Sequence, residues 1–270
     1  MEKKQRIDIL IVEKGLIETR EKAKRSIMAG LVYADGDRVD KPGTKVKVDS
    51  HLEVKGQVIP YVSRGGLKLA KAIVVFDIDL KDSIVLDIGA STGGFTDCAL
   101  QEGAKFVYAL DVGYNQLAWK LRQDERVQVM ERTNFRYSTP EDFQRGLPDF
   151  ATIDVSFISL KLILPVLKKI IKPRGKVSAL IKPQFEAGKE EVGKKGIVRD
   201  PKVHESVLRK IINFSEETGY SIIGVVPSPI RGGEGNIEFL MYMEDTADAS
   251  PGKFESENDI TSIVKEAHSE

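Results

Sequence analysis

Apolar residues recur at helical spacing at Ile7, Leu10 and Ile11, which predicts a short amphipathic helix over residues 6–14, ended by Gly15. Thr19 is placed to cap a second helix carrying Lys22, Lys24 and Arg25, and Gly30 to end it. Short β-like runs follow at 31–33, 44–48 and 51–54, parted by the turn signals Asp35-Gly36 and Lys41-Pro42-Gly43. From about Ser83 the pattern changes. Brief apolar runs alternate with amphipathic stretches, the signature of an open, mostly parallel α/β sheet. Strands are expected over 83–88, 104–111, 127–130, 150–153, 177–181, 221–226 and 239–243, the last of them antiparallel. Helices are expected over 95–102, 116–123, 160–171 and 201–218. After Glu244 the periodicity fades and Ser, Asp, Glu, Pro and Gly accumulate, which predicts a mostly disordered tail with a weak helix near 260–267.

This pattern divides the chain into a small α+β domain (1–59), a linker (60–66), a Rossmann-like α/β domain (67–245) and an acidic tail (246–270). The glycines of the linker suggest a hinge. Composition changes little: 41% hydrophobic and 30% charged residues are ordinary for a globular protein. No apolar run approaches the roughly 20 residues that span a bilayer. The apolar stretch 9–12 is too short for a signal peptide, so a cytoplasmic location is expected. Cys98 stands alone, and His51, His204 and His268 have no metal-ligand spacing; no metal is expected. Charge changes the picture more. The net charge of zero conceals 16 Lys/Arg against 10 Asp/Glu over residues 1–71, and 2 against 8 over 244–270. A basic beginning of that kind is compatible with a phosphate-binding face.

The first expected strand of the larger domain ends in Asp87-Ile-Gly-Ala-Ser-Thr-Gly-Gly-Phe95. A glycine-rich turn there lets backbone approach a bound nucleotide, and ligands of open α/β sheets bind beyond the carboxyl ends of strands. Asp111 ends the next strand about 20 residues on, where a carboxylate can accept bonds from ribose hydroxyls. The glycines run Gly-x-x-x-Gly-Gly, so the pyrophosphate fingerprint is missing, and there is no phosphate loop. An acid ahead of the glycines, Asp87, suits a cofactor with a cationic amino acid end and no phosphate; S-adenosylmethionine is such a cofactor.

Four further residues converge on the same edge. Asp154 follows the fourth strand and Lys182 the fifth, Glu238 precedes the antiparallel strand, and Lys68 begins the helix ahead of the first strand. Chain order thus places two lysines and two carboxylates around one crevice. A ribose hydroxyl must lose its proton as a methyl group arrives. A lysine taken out of water releases its own proton more readily and can serve as general base, and a neighbouring carboxylate holds such an amine in place. In-line transfer from a sulfonium then requires mainly positioning and electrostatics.

The glycine loop, together with Asp154-Val-Ser-Phe-Ile-Ser159, Leu180-Ile-Lys-Pro-Gln-Phe-Glu186, Gly196-Ile-Val-Arg-Asp200 and Ser228-Pro-Ile-Arg-Gly-Gly-Glu-Gly-Asn236, resembles the motif set of the TlyA family. Members of that family are ribosomal RNA cytidine 2′-O-methyltransferases, often labelled hemolysins. The resemblance runs from about Arg6 to Met243. It implies an FtsJ-like methyltransferase domain whose Lys-Asp-Lys-Glu catalytic set maps onto Lys68, Asp154, Lys182 and Glu238. It implies cofactor contacts from Gly89, Ala90, Ser91, Gly93, Gly94, Phe95 and Asp111, with Asn134 near the adenine, and these join Asp87 as candidate cofactor residues. It also implies that the N-terminal domain is the RNA-binding module first seen in a small-subunit ribosomal protein. The family's Ser-Arg appears here as Thr19-Arg20. Candidate RNA contacts are Arg6, Arg20, Lys22, Lys24, Arg25, Lys41 and Arg64, which position phosphates without reading sequence. The expected partner is ribosomal RNA or a ribosomal subunit.

Three other readings compete. One is methylation of another target, a base or a protein; a base would suit an Asn/Asp-Pro-Pro-aromatic strand end, whereas this chain has Asp154-Val-Ser-Phe157. A non-catalytic RNA-binding or assembly protein would not need all four charged positions. A membrane-active hemolysin would need an apolar segment that the sequence lacks.

Overall fold

The computed structural model describes residues 3–28, 30–56, 59–247, 254 and 257–269. The chain forms two compact units, Met1–Pro60 and Tyr61–Glu270.

In the first unit, β1 (Lys4–Arg6) runs directly into α1 (Ile7–Glu13), and α2 (Arg20–Met28) follows. Thr19 caps α2, its Oγ1 accepting from the Lys22 amide at 3.3 Å. The strands β2 (Val32–Ala34), β3 (Asp37–Val39), β4 (Lys45–Lys47) and β5 (Leu52–Val54) complete the unit. A three-stranded antiparallel sheet has the order β3-β2-β5, and β4 pairs with β1. Ile7, Leu10 and Ile11 from α1 pack with Ala23 and Ile27 from α2 over Val32 and Leu52. The strands β1 and β3 were not expected: Lys-Gln-Arg and Asp-Arg-Val are short and polar, and their order comes from the partner strand rather than from local preference.

The second unit contains, in order, α3 (Gly65–Phe76), β6 (Ile84–Ile88), α4 (Gly94–Gln101), β7 (Phe106–Leu110), α5 (Trp119–Arg122), β8 (Val127–Met130), β9 (Phe150–Ile153), α6 (Leu164–Leu167), β10 (Lys176–Ile181), α7 (Pro183–Glu186), α8 (Pro201–Glu217), β11 (Tyr220–Pro227), β12 (Phe239–Asp245) and α9 (Glu257–Ser269). Its seven-stranded sheet has the order β11-β12-β10-β9-β6-β7-β8. Only β12 runs antiparallel to its neighbours, as the pattern predicts. The central strands are apolar on both faces, as strands covered by helices must be. The chain leaves β6 first towards β7 and later returns on the other side at β9, so the crevice beyond β6 and β9 is the topological switch point.

Two expected helices are shorter than the pattern suggests. Over 116–123 only α5 forms, because the Glu131 carboxylate takes the amides of Asn115, Gln116 and Leu117. Over 160–171 a 3₁₀ turn at Leu160–Leu162 precedes the single-turn α6. There Glu186 accepts from the Leu160 amide at 2.7 Å, Ser159 from that of Lys161 at 3.1 Å, and Pro165 has no amide to give.

The tail requires a correction. Residues 248–253, 255, 256 and 270 lie outside the described residues. The remainder is not disordered: α9 has 13 residues and lays Ile260, Val264 and Ala267 into the main core against α8 and β11. Burying a side chain such as Ile260 or Val264 is worth about 1.5–3 kcal/mol, enough to order a helix that polar composition alone disfavours.

The linker glycines are used for close packing. A Cβ on Gly66 would fall 2.3 Å from the Tyr61 ring, and one on Gly94 would fall 2.3 Å from Ser63 Oγ. The Val62 amide donates to Asp97 Oδ2 at 2.8 Å. Residues 61–66 therefore lie directly against α4 and the glycine loop ahead of it, and α3 has already begun at Gly65.

Candidate active site

The glycine loop turns sharply from β6 into α4. Gly89, Ser91 and Gly93 all have positive φ. At Gly89 (φ 88°) a Cβ would meet the Asp154 carbonyl oxygen at 2.4 Å, so only glycine lets the two strand ends approach. The Asp111 carboxylate reaches back to the loop, accepting from the Ser91 amide at 2.8 Å and the Gly113 amide at 2.6 Å. Each oxygen retains a lone pair for a further donor.

Asp111 and Asn134 lie in a hollow of about 720 Å³ whose wall includes Ile88, Gly89, Phe135 and Val155. Asn134 Oδ1 accepts from the Arg136 amide at 3.2 Å, which fixes the side chain at that wall. The lining sets apolar side chains such as Ile88, Phe135, Val155 and Ile163 beside polar ones such as Ser91, Asp111, Gln116 and Asn134, as suits a planar base carrying a sugar.

A second hollow, of about 310 Å³, contains Lys68, Asp154, Lys182 and Glu238. Gly89, Ser91 and Asp154 line both hollows, so the two adjoin there. The four charges form a continuous row. Lys68 Nζ lies 2.7 Å from Glu238 Oε2 and 3.6 Å from Asp154 Oδ2, and Lys182 Nζ lies 2.5 Å from Asp154 Oδ1. Lys68, Lys182 and Glu238 are only 7%, 8% and 3% exposed. The two carboxylates and two ammonium groups compensate one another, the condition under which such groups can be buried.

Three neighbours escaped the sequence reading. Ser156 Oγ accepts from Lys182 Nζ at 3.2 Å, and Gln184 Nε2 donates to Glu238 Oε1 at 3.4 Å. Each stands two residues after a charged member of the row, a spacing that could have flagged it. Phe157 has φ 63° and is 90% exposed, its ring 4.9 Å from that of Phe185 at the edge of the larger hollow. A bulky residue in this region of backbone space is strained, and such strain concentrates at functional sites.

Among the expected cofactor contacts, Ala90, Gly94 and Phe95 line the smaller hollow, while Gly93 begins α4 with Leu117 and Leu121 where its Cβ would be. Asp87 departs from expectation. It is 1% exposed, beneath the loop, and its carboxylate accepts from Thr96 Oγ1 at 2.6 Å and Thr152 Oγ1 at 3.0 Å. Burial pushes its carboxyl up to about 6. Asp87 ties β6 to β9 and α4 and does not face either hollow.

In the first unit, Arg6 and Arg20 both bond the fully buried carboxylate of Asp8, through Arg6 Nε at 2.9 Å and Arg20 Nε at 3.0 Å, with their side chains 43% and 51% exposed. The Arg6 hydrogen bond, more than any other cause, holds the Asp8 carboxyl below its usual range. Lys22 and Lys24 pair with Glu18 and Glu21. Arg25 is half-buried in the last turn of α2, and Lys41 is exposed. Arg64 belongs to the second unit, at the rim of the smaller hollow.

Comparison with known proteins agrees with this geometry. Residues 61–244 match the FtsJ-like methyltransferase family and residues 5–52 the S4 domain. The chain is 63% identical over 266 residues to YqxC of Bacillus subtilis, a candidate rRNA methyltransferase, covering 98% of this chain and 95% of that protein. It is 41% identical over 249 residues to the 16S/23S rRNA (cytidine-2′-O)-methyltransferase TlyA of Mycobacterium tuberculosis, covering 92% of each. A solved structure of a candidate hemolysin from Streptococcus thermophilus superposes with a TM-score of 0.79 at 55% identity, covering 100% of this chain and 97% of that one. The chain therefore belongs to the FtsJ-like methyltransferases, in the TlyA branch that carries an S4 domain ahead of the methyltransferase domain.

Proposed function

We propose that the protein transfers a methyl group from S-adenosylmethionine to the 2′-hydroxyl of a cytidine in ribosomal RNA. The observation that carries this reading is the buried row Glu238–Lys68–Asp154–Lys182, set in the smaller hollow, with Asp154 also lining the larger.

The larger hollow fits the cofactor. Asp111 offers one free lone pair on each oxygen to ribose hydroxyls, the apolar wall beside Asn134 suits adenine, and the chain has no phosphate loop. When bound, the cofactor supplies a methyl group on a positively charged sulfur. The chain's residues do the rest. Lys182 Nζ, as the free amine left once its ammonium proton has passed to solvent, accepts the proton of the 2′-hydroxyl as that oxygen attacks. Asp154 and Ser156 hold the amine in place, at 2.5 and 3.2 Å. Lys68, bonded to Glu238, keeps a positive charge beside Asp154 and fixes its carboxylate. Such proton transfer by a positioned group is worth roughly 10²–10⁴ in rate, and alignment of the reacting atoms supplies much of the remainder. Phe157, held out beside the hollow, offers an aromatic face for an unstacked base. The S4 domain brings arginines and lysines for phosphate contacts that orient the RNA. The cytidine specificity rests on the relative named for it.

The hemolysin reading has little support in the chain: among the described residues no helix is long and apolar enough to cross a membrane. The deciding experiment is transfer of tritium from labelled S-adenosylmethionine to deproteinised ribosomal RNA and to intact subunits, followed by mapping of 2′-O-methylated positions. Label on cytidine riboses is the expected result. Cofactor binding without label in any RNA would move the substrate elsewhere or make the protein a binding module.

A further inference from the structure

The smaller hollow is bordered by two arginines, Arg64 and Arg231. The four central groups cancel in pairs, Lys68 with Glu238 and Lys182 with Asp154. Neither arginine pairs with a carboxylate among the described residues. The hollow thus carries two uncompensated positive charges at its rim. A ribose whose 2′-oxygen reaches Lys182 has a phosphate on the adjacent 3′-oxygen, and arginine is the side chain best shaped to bind it. Arg231 lies in the loop between β11 and β12, within the Ser228–Asn236 motif of which only the following Glu238 entered the catalytic reading.

That loop is anchored on both sides. Asn236 Oδ1 accepts from the Val198 amide at 3.1 Å, and its Nδ2 donates to the Gly196 carbonyl at 2.9 Å. Ser228 Oγ donates to the Ile230 carbonyl at 2.8 Å. Arg231 itself reaches α9: its Nη2 donates to the Ala267 carbonyl at 3.5 Å, a long bond to the end of a helix whose partial negative charge favours a cation. The same turn of α9 is fastened to the domain a second time. His268 Nε2 lies 2.9 Å from Nδ1 of the fully buried His204 on α8, whose ring stands edge-on to Phe239, the neighbour of Glu238. Burial first, and His268 second, hold the His204 imidazole down to about 4, so at neutral pH His204 places no positive charge against Arg231.

We propose that Arg231 contacts the RNA phosphate beside the target ribose, and that α9 is the positioning element that presents it, through Ala267 and the His268–His204 pair. The proposal rests on the methyltransferase reading given above.

The test measures methyl transfer to ribosomal RNA by the full-length chain, with RNA concentration varied, alongside the salt dependence of RNA binding. Loss of one charge-assisted contact in Arg231→Ala should raise KM for RNA about tenfold, with kcat falling less, and reduce the salt slope by about one phosphate contact. Arg231→Lys should recover part of the loss. His268→Ala should raise KM in the same direction, and adding it to Arg231→Ala should raise KM no further, because both act through one contact. His268→Gln, whose side-chain amide can still reach His204, should return KM towards wild type. An unchanged KM and salt slope in Arg231→Ala would overturn the phosphate contact. Full additivity of Arg231→Ala and His268→Ala would overturn the role of α9. Wild-type protein run in the same assay separates the two levels: if it labels no RNA, the methyltransferase reading falls and this proposal with it.

Discussion

Asp154 and Lys182 follow adjacent parallel strands, and the 2.5 Å between Asp154 Oδ1 and Lys182 Nζ is the shortest link in the charged row. A buried ion pair is a poor device for stability, since apolar residues of similar volume often do as well. In the proposed reaction its use is to hold an amine in the smaller hollow, beside the larger. Lys182→Ala should therefore lower methyl transfer by roughly 10²–10⁴ while cofactor affinity, measured by calorimetry, stays within about twofold. Asp154 keeps Lys68 at 3.6 Å in that variant, which limits the loss of stability. Undiminished turnover would remove Lys182 from the base role.

Gly232 offers a test of Glu238 that leaves the carboxylate in place. Its φ of −72° suits alanine, yet a Cβ there would lie 2.1 Å from Glu238 Oε1. The carboxylate must then swing away from Lys68 and Gln184. Displacement of a catalytic group by an ångström can cost about a hundredfold, so Gly232→Ala should slow single-turnover transfer by roughly 10–100-fold. Its melting temperature should fall as well, because Lys68 and Glu238 are both buried and their ion pair is disturbed, but the fold should persist, since Asp154 still faces Lys68. A wild-type single-turnover rate would show that the Glu238 position is not critical to the reaction.

The two acids near the cofactor loop separate cleanly in the structure. Asp111 faces the larger hollow, whereas Asp87 is spent on Thr96 and Thr152 beneath the loop. Asp111→Ala should lose cofactor affinity by at least about tenfold, through the missing ribose bonds and the loosened Ser91 amide. Asp87→Asn should retain it, since the threonine hydroxyls can bond an amide as well. Equal losses in both variants, read by calorimetry, would return Asp87 to the cofactor site.

Asp87, whose carboxylate is bonded to Thr96 and Thr152 beneath the loop, shows where sequence reasoning stops. The positions of Asp87, Asp111, Asp154 and Lys182 at or near strand ends were legible because the parallel strands of this sheet are short, mainly apolar runs with sharp edges. Which way a strand-end side chain points was not legible, because the loop beyond it decides that. The α9 helix was expected only as a weak one, near 260–267, for a related reason: its Ile260, Val264 and Ala267 repeat at helical spacing, but acidic surroundings masked a stripe whose partner surface on α8 and β11 is remote in sequence. The short helices at α5 and α6 show the same limit, since a carboxylate far along the chain, Glu131 or Glu186, takes the amides that would begin a longer helix.

Two buried groups give the stability of this domain an opposed pH dependence. Burial holds His204 down to about 4 from its usual 6.5, so the unfolded chain takes up that proton first as pH falls. The stability due to neutral His204 is complete above about pH 6.5 and is lost progressively down to about pH 4. Asp87 acts the other way. Its carboxyl is pushed up to about 6 from 3.8, so the folded chain takes up that proton first, and the cost of burying the carboxylate is relieved as pH falls below about 6. Between pH 7.5 and 5.0 the histidine should remove ~2 kcal/mol of stability and the aspartate return ~1 kcal/mol. In the wild type the two partly cancel. Urea unfolding at both pH values should therefore give the largest loss on acidification in Asp87→Asn, the smallest in His204→Phe, and an intermediate loss in the wild type. Absolute stabilities will differ among the three, but the comparison is within each protein, so a general weakening of the fold does not mimic the order. Identical losses in all three proteins would mean that neither group is shifted by burial.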